Sequence, residues 1–268
     1  MKPYKIFQAL SLDIVAGAII FSLFISQILG IVVSTVVYVE LGLAVWCIYT
    51  WDHLKDAKSV AQPSTFRHQF HKRNSETLYL LLIVCLLIGA FLVFWLPVRT
   101  LYMGVAISIF VLIYFFTIHF YPKFYHKETF IAILYGMGVV LGPFSNLDDY
   151  AMGSLYFYPF FAVTIAFTNL ILFAEFDRES DLKDGYPSLA LKLGKHSTTV
   201  IKSLLISQPV LLIMLYMVQF IPANVFYCFM SMIVVLAVIY FFRTRMVANN
   251  FYRMLGDGIF LIPLLFLI

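Results

Sequence analysis

Two pairs of aspartates carry the pattern with the clearest chemical meaning in this sequence. Asp177 and Asp181 lie in the stretch EFDRESDLKDG, and Asp52 and Asp56 lie in YTWDHLKDAK. The aspartates of each pair are four residues apart, a spacing that sets both side chains on one face of a helix, one turn from each other. Each pair follows an apolar run, so we predict that each marks the end of an apolar helix.

Such carboxylates suit a divalent cation bound together with phosphate. Carboxylate oxygens are the hard ligands that Mg²⁺ prefers, and Mg²⁺ usually shares one or two carboxylates with a substrate phosphate. Basic residues that could meet the phosphate are Arg67 in RHQFHKRN, Lys127 in YPKFYHKE and Arg178 inside the second pair. For either pair alone, a solvated helix end balanced by lysines is the alternative. The same spacing at two apolar helix ends favours a shared cation site.

The composition requires a membrane protein. Of the 268 residues, 62% are hydrophobic and only 12% are charged, and an apolar run of about 20 residues crosses a bilayer core. We predict spans at 9–30, 32–52, 77–97, 100–121, 129–147, 154–176, 198–219, 224–242 and 251–268. The last is short and carries two charges, so eight spans are the alternative. The predicted fold is an all-α polytopic membrane bundle of about nine transmembrane helices with cytoplasmic cap loops, a single domain over residues 1–268.

The distribution of Lys and Arg gives the orientation. Nearly all of them lie at the N-terminus or in the loops after spans 2, 4, 6 and 8, and only Arg99 falls on the opposite side. Short loops biased in this way face the cytoplasm. We therefore expect a multi-pass protein of the cell inner membrane with both acidic pairs on the cytoplasmic side, where they would converge on one pocket. Because these cations are divided among short loops, no nucleic acid is expected as a partner.

The segment DRESDLKDGYPSLALKLG resembles the second aspartate-rich motif of the UbiA superfamily of intramembrane prenyltransferases, and most closely that of the branch that prenylates dihydroxynaphthoate. The matching residues are Asp177, Arg178, Glu179, Asp181, Gly185, Leu189, Ala190, Leu193 and Gly194. A weaker resemblance extends over the whole chain and includes a Tyr-to-Lys segment after the fourth helix, which Tyr121 and Lys127 fit.

The first motif departs from the family pattern. Ile48 and Tyr49 stand where the family has Asn and Asp, and only Asp52 and Asp56 remain. In the loop that follows, only Arg67 matches a family residue. The first metal is therefore expected to have fewer protein ligands than in relatives with the full motif.

The resemblance implies Mg²⁺-dependent transfer of a prenyl group from a prenyl diphosphate to an aromatic or other lipophilic acceptor within the membrane. Its catalytic and metal-binding residues would be Asp52, Asp56, Asp177 and Asp181. Its diphosphate-binding residues would be Arg67, Tyr121, Lys127 and Arg178. Two alternatives stay open: a non-catalytic membrane protein of the same fold, and a transporter of divalent cations or lipids. The sequence does not define the acceptor, the prenyl length or the oligomeric state.

Overall fold

The described part of the chain is helical. The computed structural model describes residues 3–59, 66–121, 123–147, 156–248 and 250–267, and these residues form no strand. The first helices are α1 Pro3–Ala9, α2 Leu12–Ile28, α3 Thr35–Ser59, α4 Phe66–Arg73, α5 Ser75–Leu92, α6 Val98–Phe120 and α7 Lys127–Ser145. The remaining helices are α8 Phe157–Phe176, α9 Arg178–Asp184, α10 Leu189–Leu193, α11 His196–Met217, α12 Ala223–Phe241, α13 Arg243–Ala248 and α14 Phe251–Gly258. Short 3-10 segments, Val93–Trp95 and Ile259–Phe266, continue α5 and α14.

The all-α membrane architecture predicted from the sequence is confirmed. Within the described residues, six helices (α5, α6, α7, α8, α11 and α12) are long and apolar enough to cross a bilayer, and α2 is a shorter apolar helix. A helix satisfies its own backbone hydrogen bonds, which the hydrocarbon region demands. The predicted number of nine spans is not established, and part of the predicted span 154–176 lies outside the described residues.

Helix α8 forms the centre of the bundle. In its membrane-spanning window 67% of the residues are buried inside the protein, whereas the corresponding share is 11% in both α5 and α6. Helix α7 packs closely along α8 because Gly136 leaves room for the neighbouring backbone: a Cβ atom at this position would lie 2.8 Å from the amide nitrogen of Val163. Small residues of this kind let membrane helices approach one another.

The two segments that follow the acidic pairs contain helix. Helix α4 covers most of RHQFHKRN, and α9 and α10 lie in the segment after the second acidic pair. Helix α3 runs to Ser59, well beyond the predicted end of its span at residue 52, and so carries Asp52 and Asp56 on the same continuous helix.

Candidate active site

The two acidic pairs meet at one cavity. It has a volume of about 170 Å³, and its walls include Asp52 and Asp56 from the end of α3 and Asp177 and Asp181 from the start of the α9 segment. Asp52 is only 8% exposed. The convergence expected from the spacing and the shared membrane side is therefore present in the fold.

A sharp turn at Asp177 positions the second pair. Asp177 ends α8 and precedes α9, and the amide of Asp181 donates a hydrogen bond of 2.8 Å to the carbonyl oxygen of Asp177. Gly185 then ends α9 with a φ of 67°, a left-handed conformation that glycine adopts without strain. The chain reverses there, which brings Tyr186 and Ser188 back to the wall of the cavity.

A buried lysine compensates part of the charge of the first pair. Nζ of Lys127, the first residue of α7, lies 3.2 Å from Oδ1 of Asp56 and 3.6 Å from Oδ1 of Asp52. The hydroxyl of Tyr114 donates a hydrogen bond of 3.0 Å to the same Asp52 oxygen. Lys127 also contacts the hydroxyl of Tyr186, so one cation connects α3, α7 and the segment after the second pair.

An arginine from α14 pairs with the other acidic pair. Nη2 of Arg253 contacts Oδ2 of Asp177, and the hydroxyl of Tyr252 donates a hydrogen bond to Oδ1 of the same carboxylate. Burial and the nearby charge of Asp177 raise the pKa of Asp181 to about 7. The charged form of Asp181 therefore lacks full compensation from the side chains around it.

Of the residues predicted to bind diphosphate, Arg67 lines the cavity and Lys127 lies beside it against the first pair. The other two point elsewhere, and here the sequence-based assignment finds no geometric support. Arg178 donates a hydrogen bond of 3.1 Å to the carbonyl oxygen of Gly194, and Tyr121 is 69% exposed at the end of α6. Arg178 directly follows Asp177, and adjacent residues on a helix face different directions.

Several cavity residues escaped the sequence analysis as site residues. Arg253 and Tyr252 lie in a part of the sequence that indicates only a loop or a short span. In the structure, Arg253 and Asp257, which are four residues apart, both line the cavity. Two weaker signals did exist. Ionisable residues such as Asp257 within apolar segments tend to be functional, and Asn169 lies two helical turns before the second pair.

Three polar atoms around the cavity have no hydrogen-bond partner among the described residues. They are Oδ1 of Asn169, Oε2 of Glu128 and the hydroxyl of Tyr135. Buried polar atoms in folded proteins are nearly always paired. Their convergence on one cavity is the pattern expected of a site that hydrogen-bonds a polar ligand.

A second, apolar cavity of about 270 Å³ adjoins the first. It lies between α3, α6 and α7, with Leu41, Val111 and Leu141 in its walls. The two cavities share Tyr49, Ile131 and Tyr135 as lining residues, so they meet at these side chains. A polar, acidic chamber thus borders a mostly apolar one within the membrane.

Ile48 and Tyr49 contribute to the wall of this second cavity. Both lie in its wall, at the two positions where the resemblance leads one to expect Asn and Asp. In this chain the two positions supply apolar surface next to the acidic chamber.

The cavity fits a divalent cation by the chemistry of its walls. Among the described lining residues, the carboxylates are Asp52, Asp56, Glu128, Asp177, Asp181 and Asp257. They outnumber the cations: Arg67 and Arg253 line the cavity, and Lys127 lies against the first pair. No cluster of three His, Cys, Asp or Glu side chains is close enough, within the described ranges, to hold a metal unaided. A metal here would need further oxygen ligands from a bound phosphate, which is common for Mg²⁺.

Comparison with known proteins identifies the family. The profile of the UbiA prenyltransferase family matches residues 71–254, more than half of the chain. The chain belongs to the UbiA prenyltransferase family. The match includes Lys127, Asp177, Asp181 and Arg253 but begins after Asp52 and Asp56, so it does not extend to the altered first motif.

The fold agrees with this membership of the UbiA family. A solved structure of digeranylgeranylglyceryl phosphate synthase in membranes is similar with a TM-score of 0.57 over 99% of this chain and 98% of that chain, at 17% sequence identity. No curated protein matches the sequence. The chain is therefore an integral membrane protein of a prenyltransferase family, and the predicted relation to the dihydroxynaphthoate branch stays a prediction.

Proposed function

We propose that this protein transfers a prenyl group from a prenyl diphosphate to a lipophilic acceptor within the membrane, in an Mg²⁺-dependent reaction. The observation that carries the proposal is the junction of two unlike cavities, one acidic and polar and one apolar, at Tyr49, Ile131 and Tyr135. A prenyl diphosphate has the same division, with a highly charged head and a hydrocarbon tail.

The tail fits the apolar cavity between α3, α6 and α7. Each CH₂ group removed from water there contributes about 0.8 kcal/mol to binding. This burial binds the substrate through its tail, which does not react, and so positions the diphosphate among the carboxylates. The binding energy of the tail can then be used to orient the reacting bond.

The head fits the acidic cavity if a cation accompanies it. Asp52, Asp56, Asp177 and Asp181 would hold Mg²⁺, and the bound ion would supply positive charge to the departing diphosphate as a Lewis acid. Asp181 supports this assignment because its raised pKa reflects a charge that a cation would stabilise. The first pair retains two carboxylates only, so we expect its hold on Mg²⁺ to depend strongly on the diphosphate oxygens.

Fixed cations of the protein stabilise the leaving group. Arg67 and Arg253 line the cavity and Lys127 contacts the first pair, so all three lie near the place where negative charge develops on the diphosphate. The allylic C–O bond breaks, and its electron pair leaves with the diphosphate. The prenyl carbon that remains is electron-poor, and ring faces such as those of Tyr49 and Phe173 in the cavity wall can stabilise it.

The acceptor forms the new bond with its own electron pair and then loses a proton, for which the carboxylates of the cavity are available. Oδ1 of Asn169 and the hydroxyl of Tyr135 have no partner among the described residues and both lie in the wall. A polar group on the acceptor, such as a hydroxyl, would satisfy them and set its orientation. Helices α4, α9 and α10 near the cavity would limit access of water, which competes with the acceptor for the prenyl group.

One observation favours a non-catalytic protein as the second candidate. In the structure, carboxylates of both pairs already have an internal counter-ion: Lys127 lies within ion-pair distance of Asp52 and Asp56, and Arg253 contacts Asp177. Ion pairs of this kind could hold the helix ends together without any turnover. The two candidates differ in whether these carboxylates serve a reaction.

A turnover assay separates the candidates. The purified full chain is incubated with prenyl diphosphates of several lengths, dihydroxynaphthoate or a membrane lipid extract as the acceptor source, and Mg²⁺ or EDTA, and diphosphate release and prenylated product are measured. We expect Mg²⁺-dependent turnover that Asp52→Asn, Asp56→Asn, Asp177→Asn and Asp181→Asn each abolish, while Lys195→Ala, at an exposed position outside the cavity, retains it. Full Mg²⁺-dependent turnover in both Asp52→Asn and Asp177→Asn would contradict the site. No turnover with any donor, despite a folded protein, would favour the non-catalytic candidate.

A further inference from the structure

A third cavity opens on the outer surface of the bundle, away from the acidic site. It has a volume of about 630 Å³ and lies between the end of α3, the start of α5 and the end of α6. Its basic side chains are Lys55, Lys58 and His119, and Trp51 and Tyr79 form part of its aromatic wall. We call it the basic cleft.

The basic cleft combines positive charge with apolar surface. Its lining, as far as the described residues reach, holds three basic side chains and no carboxylate. The indole ring of Trp51 lies edge-on to Tyr79 at 6.3 Å and tilted against Phe115 at 6.2 Å, so the aromatic wall is already assembled. Trp51 is 43% exposed and Tyr79 40% exposed. An anionic ligand with an apolar part would satisfy both kinds of surface.

The position of the cleft indicates where such a ligand comes from. Helices α5 and α6 are only 11% buried within the protein in their spanning windows, so their outer faces are directed to lipid. The cleft lies at the end of the bundle that carries the acidic pairs, because Trp51, Lys55 and Lys58 interleave with Asp52 and Asp56 on α3. Trp and Tyr are enriched at this depth, where the hydrocarbon region meets the headgroups.

The spacing on α3 keeps the cleft separate from the acidic cavity. Trp51, Lys55 and Lys58 are at positions i, i+4 and i+7, which form one stripe on a helix. Asp52 and Asp56 each follow one residue later and are therefore rotated by about 100° around the axis. One face of the helix end thus lines the acidic cavity while the adjacent face lines the basic cleft.

We propose that the basic cleft is a binding site for an anionic phospholipid. The phosphate of the headgroup would lie among Lys55, Lys58 and His119, and an acyl chain would extend along Leu112 and Phe116, which are both exposed. Basic pockets between membrane helices on the side rich in Lys and Arg bind anionic headgroups in this way. The proposal does not depend on the prenyl transfer reaction.

Native mass spectrometry of the full chain, released from detergent after incubation with defined lipids, tests the site. The probes are phosphatidylglycerol, phosphatidylcholine of the same acyl chains, and inorganic diphosphate. We expect phosphatidylglycerol to be retained in preference to phosphatidylcholine. Lys55→Gln/Lys58→Gln should reduce its retention roughly thirtyfold, since each basic residue near an anionic surface contributes about 1 kcal/mol, a factor of about five.

A matched variant controls for net charge. Lys195→Gln/Lys202→Gln also removes two exposed lysines, but these lie outside the cleft. It should retain phosphatidylglycerol like the wild type. Equal losses in both double variants would mean a general attraction of basic surfaces to anionic lipid and would overturn the proposal. Retention of phosphatidylcholine equal to that of phosphatidylglycerol would overturn it too, as would displacement of the lipid by millimolar diphosphate, which would indicate a site for free phosphate.

A fluorescence measurement keeps the test valid if the lysine variant folds poorly. Phosphatidylglycerol with brominated acyl chains should quench the fluorescence of Trp51 in the wild type, and Trp51→Phe should lose that part of the quenching. Lys55→Arg/Lys58→Arg should keep it, because the charge is retained. Quenching that is the same in wild type and Trp51→Phe would refute a lipid in the cleft.

Discussion

Nζ of Lys127 lies 3.2 Å from Oδ1 of Asp56, so the first residue of α7 is joined to the last turns of α3 across 71 positions of sequence. The contact has two consequences. It compensates a pair of like charges that would otherwise repel each other, and it holds a cation at the edge of the acidic cavity. The first consequence concerns stability and the second concerns the reaction.

Replacement of Lys127 should therefore reduce both properties. In Lys127→Met the carboxylates of Asp52 and Asp56 lose their counter-ion, and removing one partner of a buried ion pair costs about 3–5 kcal/mol. We expect a clearly lower melting temperature in detergent and a loss of diphosphate release. The double variant Lys127→Met/Asp56→Asn should regain much of the stability but not the activity, whereas Lys195→Met should change neither. Equal melting temperatures for Lys127→Met and wild type would contradict this account of the ion pair.

The stability of the protein should fall in mild acid because of His71 in α4. Burial, as the largest effect, lowers the pKa of His71 from 6.5 to about 4. The unfolded chain therefore takes up a proton between about pH 6.5 and 4 while the folded chain does not, so stability from this group is complete above pH 6.5 and is lost as the pH falls towards 4. His71→Phe, which retains a ring beside His53, should make the melting temperature less dependent on pH in that window. His196→Phe, at an exposed position, serves as the control and should show the wild-type slope.

Asn169 should affect the acceptor more than the donor. Its Oδ1 atom is buried in the cavity wall without a partner among the described residues, and its side chain is 2% exposed. We expect Asn169→Leu to raise the KM for the acceptor by roughly tenfold, since a lost hydrogen bond in a buried site costs about 1–3 kcal/mol, with little change in the KM for the prenyl diphosphate. Titration of each substrate at a saturating level of the other measures the two effects. A rise confined to the donor KM would move Asn169 to the diphosphate end of the cavity.

The apolar cavity should determine the length of the prenyl chain. Gly104 lies in its wall, and no atom approaches within 4 Å of the place where a Cβ would stand. Gly104→Phe should therefore fill cavity space and shift the preference towards shorter prenyl diphosphates without abolishing turnover. Ile109→Phe on the same helix, at a position 53% exposed, should leave the preference unchanged. Competition between donors of different lengths in one reaction measures the shift, and an unaltered length profile in Gly104→Phe would show that the tail lies elsewhere.

The sequence predicted the helices and the acidic cavity well because both follow from local patterns. Apolar runs of sufficient length have few alternatives to a membrane helix, and aspartates four apart on two helix ends of the same side were expected to face a common space. Lys127 was also identified from the sequence, but as a diphosphate-binding residue and not as the counter-ion of the first acidic pair. Its position between Asp52 and Asp56 depends on how α7 packs against α3, which the sequence pattern does not express.

The sequence did not indicate contacts between residues distant in the chain, and it did not indicate the directions of individual side chains. Arg253 pairs with Asp177 across 76 positions, and no local spacing connects the two. Arg178 and Tyr121 lie at the sequence positions that the family motif indicates, yet Arg178 turns to Gly194 and Tyr121 remains exposed. A motif fixes which residue is present, and the packing of the helices decides what its side chain reaches.

Ile48 in the wall of the apolar cavity makes this position unsuited to the Asn expected from the family motif. An amide at this position would lie in a mostly apolar wall, and burying it without a partner would cost about 1–3 kcal/mol before any ligand was gained. On the proposed function, Ile48→Asn would therefore weaken the binding of the prenyl tail before it supplied a metal ligand. The composition of one wall position thus links the strength of tail binding to the number of metal ligands.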